Sequence, residues 1–144
     1  MNPIDFLKKE HDIIERELVE LETIIDEEEV NYSNLIHVFN RLHNLWNAHE
    51  EKETNFFILL GKITGNSYEQ IKFEHQELRG YKKIIHDTIK SGNESEIKTV
   101  FDTDLIMMID KLRAHLKTEN EIIDNVHFEK FSQQEIKELW ESIK

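Results

Sequence analysis

Six residues draw attention by type and spacing. "KKEHDII" carries His11, "NAHEEKE" carries His49 and Glu53, "FEHQELR" carries His75, and "RAHLKTEN" carries His115 and Glu119. Imidazoles and carboxylates are the nitrogen and oxygen donors that first-row metal ions take. A step of four residues on a helix turns by only ~40° and rises ~6 Å, so a His and the Glu four places later share one face. In that geometry the His can bind one ion while the Glu reaches across to a second. One such pair means little in a chain this rich in glutamate. The combination matters because all six positions interrupt apolar stripes.

The stripes follow from alternating steps of three and four residues. Helix 1 gives Ile4, Leu7, His11, Ile14, Leu18, Leu21 and Ile25. Helix 2 gives Leu35, Val38, Leu42, Leu45, His49, Glu53, Phe56 and Leu60. Helix 3 gives Tyr68, Ile71, His75, Leu78 and Ile85. Helix 4 gives Leu105, Met108, Leu112, His115, Glu119, Ile122 and Val126. His37, His43, His86 and His127 fall off these stripes and read as surface or flanking residues. Two carboxylates buried side by side would repel and each would cost several kcal/mol or take up a proton. A pair of multivalent cations removes that conflict, so a dinuclear metal site is the expected chemistry.

The elements that must position these residues can be read off the same sequence. Four glycines and one proline in 144 residues leave few helix breaks, which predicts an all-α protein. Pro3 suits a first helical turn, and helix 1 should run to the acidic cluster Asp26–Glu29. Helix 2 should span about Ser33 to Ile63 and stop at "TGNS". A capping box of Ser67 and Gln70 should open helix 3, which ends near "KSGN". Helix 4 should begin between Asn93 and Thr103 and end near Val126, and Ser132 with Glu135 should cap a short last helix. Short breaks favour antiparallel neighbours. The expected architecture is an up-down-up-down antiparallel four-helix bundle with a short C-terminal fifth helix. The whole of 1–144 is one domain, with the bundle at about 3–126 and the terminal helix at about 132–144 closing its open end through Ile136, Leu139, Trp140 and Ile143.

A depth comparison supports convergence. His11 lies about as far before the first turn as His49 lies after it, so at about 1.5 Å per residue the two meet at one level. His115 lies too far from Asn93 to match His75, unless helix 4 starts late, near Thr103, or the third connection is long.

With these residues assembled, the chain resembles the hemerythrin-like family, in its His–His–Glu (HHE) cation-binding branch, over residues up to about Val126. The resemblance implies a non-haem di-iron centre: two iron ions, oxo- or hydroxo-bridged, with both glutamates bridging. His11 and His49 would sit on one iron and His75 and His115 on the other. Zinc or manganese suits the same donors. Oxygen-carrying members have a second helix 3 histidine where this chain has Ile71, and end in His–x4–Asp where it has His115–x3–Glu119. The implied open positions suit O2, NO or peroxide as small-molecule ligand, in oxygen sensing or storage or in iron handling under oxidative or nitrosative stress. The ligands look closer to those of the iron–sulfur repair members, so an iron-centre repair or peroxidase-type di-iron enzyme is the alternative. Those members carry an N-terminal cysteine segment that is missing here. Glu50, an extra ligand in some iron-sensing relatives, reads as an exposed glutamate.

Composition narrows the rest. A net charge of −12 argues against nucleic-acid and anionic-membrane partners. The absence of cysteine excludes disulfides, thiolate metal sites and cysteine catalysis. The longest apolar run, "FFILL", is too short to span a bilayer and the N-terminus is charged, so a cytoplasmic location is expected. A ferritin-like site needs Glu–x2–His and a zinc protease His–Glu–x2–His, and neither occurs. "RAHLK" faintly resembles the motif of helical phosphotransfer domains, but glutamates follow His49 and His115 at the next turn and would repel a phosphoryl group. A metal-free helical interaction bundle is the remaining contrast.

Overall fold

The computed structural model describes residues 2–144. Six α-helices are present among them: α1 (Pro3–Ile25), α2 (Tyr32–Thr64), α3 (Glu69–Ser91), α4 (Glu94–Asp102), α5 (Asp104–Asp124) and α6 (Gln133–Ser142). A single 3-10 turn at Phe128–Lys130 lies before α6. α1, α2, α3 and α5 form the antiparallel bundle, each packed on the next and α5 closing back on α1. α6 lies across the end of the bundle against α2 and α1.

Local chemistry sets most of the ends. Asn2 and Asp5 cap each other at the start of α1, with Pro3 in the first turn, and Ser132 and Glu135 do the same for α6. Asn31 and Asn93 accept backbone N–H groups at the starts of α2 and α4. Gly65 and Gly92 end α2 and α3 at φ 76° and 70°, a left-handed conformation that glycine adopts without the Cβ clash other residues meet.

Three details correct the expectations. The Ser67–Gln70 capping box does not form: α3 starts one residue later, after Tyr68, with no side-chain cap. Tyr68 packs its ring 5.2 Å from that of Phe57, and this contact decides the helix start over the local capping signal. Helix 4 is two helices, broken at Thr103 (φ −120°, ψ −70°). The short α4 packs on both α3 and α5 and buries Ile97, Val100 and Phe101, so α5 starts at Asp104 and the His115 ring lies 4.8 Å from that of His75. The core residue of the middle of α2 is Trp46, at 0% exposure, while Leu45 is 36% exposed. Steps of 42–46–49 and 42–45–49 both satisfy helical spacing, and the indole fills the space that three ligand-type histidines leave around it. Smaller shifts of the same kind put Ile24 rather than Ile25, and Ile123 rather than Ile122, fully inside.

Trp46→Ala should therefore lower stability by about 3–5 kcal/mol, and Leu45→Ala by no more than about 0.5 kcal/mol, in chemical denaturation of the metal-free protein. Equal losses would place the wrong residue in the core.

The apolar core is divided. One cluster, from Ile14 and Leu18 through Leu42, Trp46, Leu78 and Leu112 to Leu116, fills the half of the bundle nearer α4. A second, with Ile4, Leu7, Phe56, Leu60, Ile71, Ile123, Leu139 and Ile143, fills the half under α6. The six ligand-type residues occupy the level between them, walled on both sides by apolar side chains.

Candidate metal centre

His11, His49, Glu53, His75, His115 and Glu119 are all buried and converge. They form two groups, His11–His49–Glu53–Glu119 and Glu53–His75–His115–Glu119, with the donor atoms of each group within 4.8 Å of one another. Glu53 Oε2 lies 2.9 Å from His11 Nε2 and 3.1 Å from His49 Nε2, and Glu53 Oε1 lies 3.4 Å from His75 Nε2. Glu119 Oε1 is 2.6 Å from His115 Nε2 and 3.8 Å from His11 Nε2, while its Oε2 is 3.8 Å from His75 Nε2. Each glutamate therefore faces both groups.

Apart from the hydrogen bond between His11 Nε2 and Glu53 Oε2, proximity here is not hydrogen bonding. Nε2 of His49, His75 and His115, Oε1 of Glu53 and both oxygens of Glu119 are buried without a partner. Native proteins rarely leave buried polar atoms unpaired; among the described residues the others are His43 Nδ1, Trp46 Nε1 and His86 Nδ1, and six such atoms converge here. That is the arrangement a cation satisfies. The two groups, sharing Glu53 and Glu119, fit a dinuclear metal site.

Electrostatics of the metal-free cluster agree. Burial works to raise Glu53, but His49, His11 and His75 around it hold its carboxyl well below the usual range. Glu119 is pushed well above that range by burial and by the charge of Glu53. Without metal, the pair thus settles its repulsion by keeping one carboxylate ionised and a proton on the other. Burial works to lower His49, yet the Glu53 charge and the Glu10 hydrogen bond outweigh it and raise the imidazole to about 9. Burial lowers His115.

The outer nitrogens are held from neighbouring helices. Glu10 Oε1 lies 2.9 Å from His49 Nδ1, Glu74 Oε1 lies 2.7 Å from His115 Nδ1, and Asn120 Oδ1 lies 2.7 Å from His11 Nδ1. Such partners fix the ring tautomer, leaving Nε2 free as a donor to metal. Stripe tracing did not single out these three. Their signal is adjacency: Glu10 precedes His11, Glu74 precedes His75 and Asn120 follows Glu119. The first two do not serve their own neighbour; each holds the histidine of the next helix.

Glu50 corrects an expectation. It is only 5% exposed, accepting from Arg79 Nε at 2.5 Å, with Lys82 Nζ at 3.8 Å and His75 Nδ1 at 4.0 Å. It lies outside both donor groups. Lys82 is buried too, donating to Asn47 Oδ1 at 2.6 Å and lying over the Trp46 ring, and burial pulls its ammonium down to about 8. Of the other histidines, His37 and His127 are exposed, and His43 and His86 are half-buried and stack on each other at 4.7 Å. Glu15, four residues after His11, takes no part in the cluster and accepts from Arg113 Nε.

Among the described residues no helix is long and apolar enough to cross a membrane. No curated protein and no solved structure matches the chain. The model of one family does match, the hemerythrin HHE cation binding domain, over residues 2–123. That span contains α1, α2, α3, all of α5 but its last residue, and every residue of the buried cluster, and by it the chain belongs to the hemerythrin HHE cation-binding family.

Proposed function

We propose that residues 1–144 act as one cytoplasmic domain holding two iron ions. His11 and His49 would bind one ion, His75 and His115 the other, and Glu53 and Glu119 would bridge. The observation that carries this reading is the set of buried Nε2 and Oε atoms without partners, in two groups that share the glutamates. Zinc or manganese would fit the same donors, so the choice of iron rests on the family. Bound iron would supply one-electron redox chemistry and open positions for O2, NO or peroxide. The protein's own residues supply the rest. Glu10, Glu74 and Asn120 orient three of the imidazoles, and the apolar clusters on either side keep bulk water away and strengthen every charge interaction within. The role proposed is binding of such an oxidant in oxygen sensing or storage, or in iron handling under oxidative or nitrosative stress.

Metal analysis, followed by visible spectra of the reduced protein before and after exposure to O2 or NO, tests the proposal. Stoichiometric iron and a ligand-dependent spectrum are expected, whereas substoichiometric iron with an unchanged spectrum would sink it. His75→Ala should weaken iron retention at least tenfold, a loss of about 1.4 kcal/mol or more, and His43→Ala should leave it unchanged.

A further inference from the structure

A cleft of about 520 Å³ opens between the second half of α2 and the first turns of α3. Its apolar wall is formed by Phe57, Ile58, Tyr68 and Ile71, and His75 also lines it. Ile58 is 56% exposed, a large aliphatic side chain turned to solvent where the cleft opens. Gly61 allows the α2–α3 turn to fold back far enough for Tyr68 to reach this wall, because a Cβ there would lie 3.0 Å from the Asn66 carbonyl oxygen and 3.6 Å from the Tyr68 ring. A diatomic ligand needs only a small part of such a volume, which falls within the range of about 300–1,000 Å³ found for organic ligands.

The charge of the cleft runs against that of the molecule. The chain carries −12, yet Lys62, Lys72 and Arg79 line this site and Glu69 is its one carboxylate. Arg79 is engaged by Glu50. Lys62 and Lys72 enter no ion pair among the described residues, and both are exposed.

We propose that this cleft binds a small amphiphilic organic anion, its apolar body against Phe57, Ile58 and Ile71 and its carboxylate at Lys62 and Lys72. Because His75 lines the same cleft and belongs to the buried cluster, occupancy is transmitted to the metal centre. That coupling rests on the metal reading above; the binding does not.

Octanoate is a suitable probe, titrated into the metal-free protein by calorimetry and by NMR of the histidine ring signals. Saturable binding is expected, with a shift of the His75 resonances. The double reversal Lys62→Glu with Lys72→Glu should weaken it about tenfold, as should Ile58→Glu, while Lys83→Glu, on α3 outside the cleft, should not. Neutral octan-1-ol should bind about tenfold more weakly than octanoate. No saturable binding, indifference to the double reversal, or equal binding of the alcohol would overturn the assignment. With iron loaded, octanoate should perturb the visible spectrum; an unchanged spectrum with binding intact would overturn the coupling. Failure to load iron with octanoate binding intact would overturn the metal reading instead and leave the cleft assignment standing.

Discussion

Glu119→Leu should raise the melting temperature of the metal-free protein and abolish its ability to retain metal. Glu119 is 0% exposed, both of its oxygens lack partners, and burial together with Glu53 keeps its carboxyl protonated well above the usual range. A buried polar group without partners costs about 1–3 kcal/mol, and each kcal/mol is worth roughly 2–4 °C in a chain of this size. Leucine at this position removes the penalty and joins two apolar clusters that the site now separates. Glu53→Leu should act in the opposite direction. Glu53 is the ionised member, accepting a hydrogen bond from His11 at 2.9 Å, and without it the surrounding imidazoles lose their counter-charge. Removing one partner from a buried charged set costs about 3–5 kcal/mol. Both variants lose metal, because each glutamate belongs to both donor groups. Thermal unfolding by circular dichroism, paired with metal analysis, separates the two effects. Stability changes of the same sign in both variants would contradict the charge assignment.

The second large effect is a divergence with pH between the metal-free and metal-loaded protein. His49 in the metal-free fold is raised from 6.5 to about 9. Its contribution to stability is therefore complete below about pH 6.5 and is lost as pH rises through about 9, because over that window the folded state binds the extra proton. Metal demands the reverse, a neutral His49 and an ionised Glu119. Loading must displace these protons, and each costs about 1.4 kcal/mol more for every pH unit of acidification. At a free metal concentration a hundred times the dissociation constant, loading adds about 2.7 kcal/mol of stability. That gain should grow from pH 6 to pH 8 at fixed metal and vanish toward acid. Melting curves with and without metal across this range test the divergence, and proton release in weakly buffered solution tests its cause. A stabilisation that did not change with pH would mean that metal binds elsewhere.

This antagonism describes what the site does to the fold. In the metal-free bundle the six residues occupy volume that apolar side chains would fill more favourably, and the protonation states there are a compromise among mutually repelling groups. On the proposed reading, bound metal would satisfy them all together and link stability and function through one cluster. Surrounding residues serve the same end from outside. Glu10, Glu74 and Asn120 fix the rings, and the buried Lys82 and Glu50 lie beside Trp46 and His75, adding charges to a region that is otherwise dry.

Periodicity located the four long helical segments and the six stripe positions that the fold brings together, while the depth comparison left open whether the last bundle helix starts late or the third connection is long. The reason is physical: a bundle helix must keep one face apolar, so a charged or ligand-type residue on that face stands out in one dimension. Caps and glycine stops are equally local, which is why the boundaries at Pro3, Gly65, Gly92 and Ser132 are legible. Other features depend on more than one helix and could be decided only by tertiary packing. Trp46 displaced Leu45 because the space among three histidines belongs to no single helix, and Tyr68 overrode the Ser67 cap by packing on Phe57. Glu50 was drawn inside by Arg79 and Lys82 of α3. The partners of the imidazoles, and the opposite protonation of Glu53 and Glu119, depend on distances across the bundle that no spacing within one helix encodes.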